Sequence, residues 1–381
     1  MRFLHLADLH LGKRLNEFNL IGDQAHILEQ IVAIAREEAD AVLIAGDVYD
    51  KSQPSVEAVE LLDDFLTQLT GLNLPVLMVS GNHDSPERLS FGSRILAQHR
   101  LHVVGGFSGI LPRVTLEDRH GPIHVCLLPF VKPAQVRPFF DEKIESYDQA
   151  VRAALSTRKM DSKERNILVA HQFVVCGESE PERSDSETVT VGGLDSVDAS
   201  AFDAFDYVAL GHLHRPQTIG SEHVRYGGSP LKYSFSEARQ DKSVTILALG
   251  PKGELKMEQH TLRPRRDLRE IKGPLRELLR MGKEDQKAAQ DYLRITLTDE
   301  EEIYDALGQL RPVFPQLMVL DFEYRQRGLA QAPIAASLDL ARKSPLDLFA
   351  SFYQMQNDRE LNARQMKVME EVLDQAGGEG A

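Results

Sequence analysis

Five short polar blocks constrain this chain more than any other feature, because each closes an apolar run. Asp8-Leu9-His10 follows RFLHLA, Gly46-Asp47 follows AVLIA, Gly81-Asn82-His83-Asp84 follows PVLMVS, His171 follows ILVA, and Gly211-His212-Leu213-His214 follows YVAL. Apolar runs this short and continuous read as buried strands, not exposed helices. In extended backbone the i, i+2 spacing turns Asp8 and His10 to one side, and likewise His212 and His214. Sheets of alternating β and α segments gather ligands beyond the carboxyl ends of their strands, so the blocks are predicted to meet. One histidine at a strand end is usually a hydrogen-bonded structural residue. Five blocks that mix carboxylates, an amide and imidazoles point instead to a pair of hard cations, the arrangement that phosphoester cleavage requires.

Between the blocks, helical patterns fall near 22–39, 55–70 and 86–98, with Ile27, Ile31 and Ile34 sharing a face and Pro54-Ser55 marking a helix start. Further strands are predicted at 123–128, 166–170, 206–210, 224–226 and 243–249, and helices at 133–140 and 144–158. This alternation is that of a layered α/β domain. A small β-α-β unit follows, with strands at 291–298 and 317–325 around a helix at 300–311. The small-residue run 330–338 reads as a linker before helices near 344–356 and 358–376. Leu346, Leu348, Phe349, Phe352, Tyr353, Met366, Met369 and Val372 give those helices apolar positions, and two helices are too few for a core of their own.

Composition limits the function without naming it. With 44 basic against 58 acidic residues the net charge is −14, which argues against a protein that coats DNA. A nuclease is not excluded, since metal ions supply local positive charge. A basic stretch, Arg263, Arg265, Arg266, Arg269, Lys272, Arg276, Arg280 and Lys283, reads either as a solvated face or as a phosphate-contacting surface. Cys126 and Cys176 form no disulfide or metal pattern and are expected as reduced, buried thiols. No basic start with a long apolar run and no apolar stretch of membrane-spanning length occurs, so a cytoplasmic protein is expected.

The pattern DxH, GD, GNHD, H and GHxH resembles that of the calcineurin-like metallophosphoesterase superfamily, with every signature block present. The longer blocks ADLHLG at 7–12, GDVYD at 46–50, GNHDSPER at 81–88, ALGHLHRPQ at 209–217 and YGGSPLKYSFSE at 226–237 are similar to the bacterial branch of the Mre-type double-strand-break nucleases, over nearly the whole chain. The resemblance implies an α/β fold: a layered β-sandwich flanked by helices, a small α+β capping domain and C-terminal helices. It divides the chain into a nuclease domain at 1–255, a DNA-capping domain at 256–329 and a linker with partner-binding helices at 330–381.

Carried to this sequence, the resemblance implies one metal held by Asp8, His10, Asp47 and His214, and another by Asp47, Asn82, His171 and His212. Manganese is the ion it implies, although the ligand types also admit zinc or iron. It places His83 over the scissile phosphate, stabilising charge or protonating the leaving oxygen. Asp84 is then expected to orient His83, with a turn cap as the alternative. Relatives outside the bacterial branch carry histidine where this chain has Asp50, so Asp50 receives no catalytic role. His5 reads as packed or hydrogen-bonded, and Arg88 as an ion-pair former.

The implied activity is 3′ to 5′ exonuclease action on double-stranded DNA ends and endonuclease action at hairpins. The implied assembly is a homodimer, joined through helices near 55–70 and 86–98, within a heterotetramer that includes a coiled-coil SMC-like ATPase. The competing readings are a stand-alone phosphodiesterase or phosphatase and a non-catalytic scaffold. The metal motif alone serves all of these chemistries.

Overall fold

The apolar runs are central strands. In the computed structural model, which describes residues 1–177, 181–187, 195–301, 303–323, 344–357 and 359–377, Arg2–Leu6, Ala41–Ala45, Val76–Val79 and Leu101–Val104 lie parallel in one six-stranded sheet. Ser243–Leu249 and Leu255–Thr261 extend that sheet antiparallel beyond Arg2–Leu6. A second six-stranded sheet has Ser221–Tyr226, Tyr207–Gly211, Arg165–His171 and Gly121–Leu128 parallel, with antiparallel edges at Gln217–Ile219 and Arg113–Asp118.

The two sheets share one core. Phe3, Leu43, Leu77 and Val79 of the first meet Val125, Leu127, Ile167, Val169 and Tyr207 of the second. The alternate residues Leu168, Ala170, Val208 and Leu210 turn the other way and pack with Ala150, Val151 and Ala154 of the helix Tyr147–Ser156. Both faces of these strands are therefore buried, which is why their sequences run apolar instead of alternating. This is the layered sandwich that the resemblance implied. The strand Leu255–Thr261 belongs to it, so the first compact unit runs to Asp267, past the expected boundary at 255.

Several helices follow the sequence closely. Ile21–Glu38 buries Ile27, Leu28, Ile31, Val32 and Ala35. Val56–Gly71 begins where Pro54-Ser55 predicts, with the Ser55 hydroxyl accepting from the Ala58 N–H at 3.3 Å. The expected helix at 86–98 is instead two short turns, Pro86–Leu89 and Ser93–Leu96, separated by Gly92 at φ 73°. A left-handed glycine ends the helical hydrogen-bond run. The expected helix at 133–140 stops after Pro133–Val136 and tightens over Arg137–Phe139, where Pro138 has no N–H to donate.

Leu268–Gly273, Tyr292–Leu297 and Leu317–Phe322 form a three-stranded parallel sheet in the second compact unit. Leu293, Ile295 and Leu297 pack there with Leu278 of the helix Leu275–Glu284 and with Leu310 and Phe314. The unit therefore has one strand more than the β-α-β pattern predicted. Leu268–Gly273 lies in the basic stretch, where Arg269 and Lys272 hide its apolar positions. The helix expected at 300–311 is short, Ala306–Leu310, and starts where the Asp305 carboxylate accepts from the Gly308 N–H. Helices Pro345–Asn357 and Ala363–Gly377 are the last elements among the described residues. The expected linker at 330–338 lies outside the described residues. No helix among them is long and apolar enough to cross a membrane.

Candidate metal centre

The structure brings the five blocks together at the strand ends, and the backbone there is bent to do so. Asp8, His10, Asp47 and His212 all adopt positive φ, of 53°, 44°, 47° and 117°. Such conformations cost energy for side chains other than glycine and gather at functional sites. The Asp8 carboxylate accepts from the His212 N–H at 2.9 Å, fastening the first strand of one sheet to the end of a strand in the other.

Close approach of the strand ends depends on glycine, between the sheets at Gly211 and within the first sheet at Gly81. A Cβ on Gly211 would sit 1.8 Å from the Ala45 carbonyl oxygen, and one on Gly81 2.1 Å from Asp47 Oδ1. Gly211→Ala must therefore spread the sheets at the site, and we expect a loss of about 1–3 kcal/mol from overpacking. Urea unfolding of the variant beside the parent protein measures it.

Proton positions follow from the partners. His171 Nδ1 lies 2.9 Å from the Ala45 carbonyl oxygen, which only accepts, so Nδ1 carries the proton and Nε2 presents a lone pair. That lone pair faces Asn82 Oδ1 at 3.0 Å and Asp47 Oδ2 at 3.5 Å. His212 Nδ1 lies 3.0 Å from the same Asn82 oxygen. On the other side, His10 Nε2 lies 3.1 Å from His214 Nε2 and 3.6 Å from Asp47 Oδ2. Asp47 Oδ2 thus stands between two groups of donor atoms.

The His171 Nε2 lone pair facing the Asn82 and Asp47 oxygens at these separations is repelled unless a cation lies between them. Ligand atoms about 2.1 Å from one ion at right angles sit about 3 Å apart, which is the spacing found. The electrostatics agree. Burial pushes the His10 and His212 imidazoles down, His212 to about 3, and keeps them neutral. Burial and then the Asp47 charge push the Asp8 carboxyl well above its usual range. These residues fit divalent cations on their donor chemistry.

His83 and Asp84 separate. The Asp84 carboxylate accepts from the N–H groups of Gly81, Val48 and Tyr49 at 2.9, 3.1 and 2.9 Å, tying the second block to the third. His83 Nδ1 instead meets the Asp50 carbonyl oxygen at 2.8 Å. The expectation that Asp84 orients His83 is thereby corrected: its oxygens are committed to backbone donors, and the turn-cap alternative describes it. Burial raises the Asp84 carboxyl to about 7, with the Asp47 charge adding to the shift. His83 Nε2 lies 4.0 Å from Asp47 Oδ2, and the residue lines an open depression of about 530 Å³ with Asp50, Lys51, Ser52, Gln53 and Asn82.

Residues 1–216 match the calcineurin-like phosphoesterase family, and residues 264–357 match the type 5 capsule protein repressor C-terminal domain. Across 387 aligned residues, 98% of this chain and 98% of the relative, the chain is 32% identical to the D subunit of the nuclease SbcCD from Staphylococcus epidermidis. The chain belongs to the SbcD family of calcineurin-like phosphoesterases. A solved structure, TT1561 of Thermus thermophilus, is 15% identical with a TM-score of 0.37, covering 68% of this chain and 98% of that one. Divalent metal use goes with a calcineurin-like phosphoesterase, and the convergent donors of this SbcD-family chain suit it.

Some features at this SbcD-family site escape the sequence. The Asp50 carboxylate pairs with Lys13 Nζ at 2.7 Å while its carbonyl holds His83. Glu187 Oε1 accepts from the His214 N–H at 2.6 Å. His5 is buried as expected, with Nδ1 2.9 Å from the Tyr207 hydroxyl. Cys126 is buried, whereas Cys176 is exposed, correcting the expectation of two buried thiols. In the basic stretch, Arg266, Arg269, Lys272 and Arg280 pair with Asp23, Asp291, Glu323 and Glu284. That neutralises half of the stretch as a phosphate-contacting surface.

Proposed function

We propose that this protein is a manganese-dependent DNA nuclease subunit, a phosphodiester hydrolase that works on double-strand ends in DNA recombination and repair. The observation that carries the reading is Asp47 Oδ2, flanked at 3.6 and 3.5 Å by His10 Nε2 and His171 Nε2, with His83 Nε2 4.0 Å away on a residue that lines an open depression. Asp8, His10, Asp47 and His214 form one ligand set in this reading, and Asp47, Asn82, His171 and His212 the other. A bound pair of divalent cations supplies an activated water and neutralises charge on the phosphoryl oxygens. The protein's own groups do the rest. The neutral imidazoles present lone pairs, Asp84 holds the loops in register through three backbone N–H groups, and His83 serves the phosphate as an orienting or proton-donating catalytic residue.

The 3′ to 5′ exonuclease and hairpin endonuclease activities, a capping role for 256–329 and an SbcC-type coiled-coil SMC-like ATPase partner belong to the same proposal, as does a cytoplasmic location. A groove of about 320 Å³ between the last two helices, lined by Phe349, Tyr353, Leu361, Val368 and Met369, supports partner binding at 330–381. Val56, Phe91 and Ile95 are 70%, 86% and 67% exposed, which supports a homodimer through that face. Purified protein with Mn²⁺ is expected to degrade linear and hairpin duplex DNA, assayed by gel with end-labelled substrates. Cleavage of small phosphodiesters but no DNA, even with the ATPase added, defeats the nuclease reading in favour of a stand-alone phosphodiesterase.

A further inference from the structure

Behind His214 lies a buried ion pair that the metal ligands alone do not explain. Glu237 is 0% exposed and Lys242 5% exposed, and their Oε2 and Nζ atoms are 2.6 Å apart. A pair this deep stabilises a fold no better than apolar residues of the same size, so its place calls for another reason. Its contacts converge on one residue. Glu237 Oε1 lies 3.3 Å from His214 Nδ1, and the Ser186 hydroxyl donates to that oxygen at 2.6 Å while standing 2.9 Å from Nδ1. Lys242 Nζ donates to the His214 carbonyl oxygen at 2.9 Å, and also to Ser229 Oγ and Gln240 Oε1. With Glu187 taking the N–H, the carbonyl, the amide and Nδ1 of His214 are all held by polar partners.

We infer that Glu237, held in place by Lys242, is a positioning residue that keeps the proton of His214 on Nδ1 and its lone pair on Nε2 aimed at the metal centre. A carboxylate only accepts, so it selects the Nδ1–H tautomer. That tautomer turns the bare Nε2 toward His10 Nε2, 3.1 Å away. Ligating histidines are held by such outer partners, and losing one weakens metal binding. The inference rests on the reading of His214 as a metal ligand.

Glu237→Gln tests it, because the amide keeps the volume while offering an N–H donor to Nδ1 and so admits the wrong tautomer. Mn²⁺ titration of the full-length protein by calorimetry is expected to show two sites in the parent and one site weakened about 10–100-fold in the variant. Long-range ¹⁵N-histidine NMR of the metal-free proteins reads the tautomer directly, which a merely structural role leaves unchanged. The expected result is an Nδ1–H His214 in the parent and loss of that signature in Glu237→Gln. Parent-like titration with the tautomer retained overturns the inference while leaving the ligand reading intact. A His214→Ala protein that still binds two ions as the parent does overturns the ligand reading itself. Should Glu237→Gln fail to fold by circular dichroism, the double variant Glu237→Gln, Lys242→Met carries the test, since it removes the carboxylate without leaving the lysine charge buried and unpaired. Weaker binding at one site supports the inference, and unchanged affinity counts against it.

Discussion

Asp47→Asn is expected to lower Mn²⁺-supported phosphodiester hydrolysis by about 10³-fold or more, since each cation supplies several kcal/mol of transition-state charge stabilisation and about 1.4 kcal/mol is tenfold in rate. Asparagine is the informative replacement. It tolerates the left-handed backbone at this position, φ 47°, better than alanine does. Its remaining oxygen can still accept from the His83 N–H, which meets Asp47 Oδ1 at 2.9 Å. What it removes is the negative charge between the two groups of imidazoles. Circular dichroism should therefore match the parent, while calorimetric Mn²⁺ binding loses at least one site. Hydrolysis within tenfold of the parent, with both sites filled, would mean that Asp47 does not bridge.

The ligands are legible because each stands at the end of a continuous apolar run, where strand geometry fixes its neighbours. Asp8 and His10 need only the i, i+2 rule once Arg2–Leu6 is read as a strand. The groups behind them are not legible in this way. Glu237 reaches His214 across 23 residues and Glu187 reaches it across 27, and no local periodicity encodes either contact. Glu237 does lie in the block YGGSPLKYSFSE, so a signal is present without a geometry to interpret it.

Asp84 misleads because an aspartate beside a histidine has two local uses. Its three backbone donors come from two separate loops, visible only after folding. Leu268–Gly273 escapes for a compositional reason. Two of its six residues, Glu270 and Lys272, are exposed, and with Arg269 they interrupt the apolar continuity that identifies the central strands.

Replacing His83 should separate catalysis from metal binding. His83→Ala is expected to lower kcat by about 10²–10⁴-fold, the range for loss of a proton-transferring group, while Mn²⁺ stoichiometry and affinity stay at parental values. The geometry gives the reason. Asp50's carbonyl oxygen accepts a hydrogen bond from Nδ1–H at 2.8 Å, so the ring is held from behind and Nε2 is left free of that hold, 4.0 Å from Asp47 Oδ2. His83 lines the depression beside Asn82, so its ring can meet a phosphate placed there. Because the hold comes from main chain, Asp50→Ala should leave His83 in position and cost less in kcat. It would release Lys13, whose Nζ sits 2.7 Å from the Asp50 carboxylate. Stopped-time assays of the two variants at saturating Mn²⁺ give the comparison. A His83→Ala protein that also loses an ion would make His83 a ligand, and equal losses in the two variants would place the effect on the Asp50 side chain.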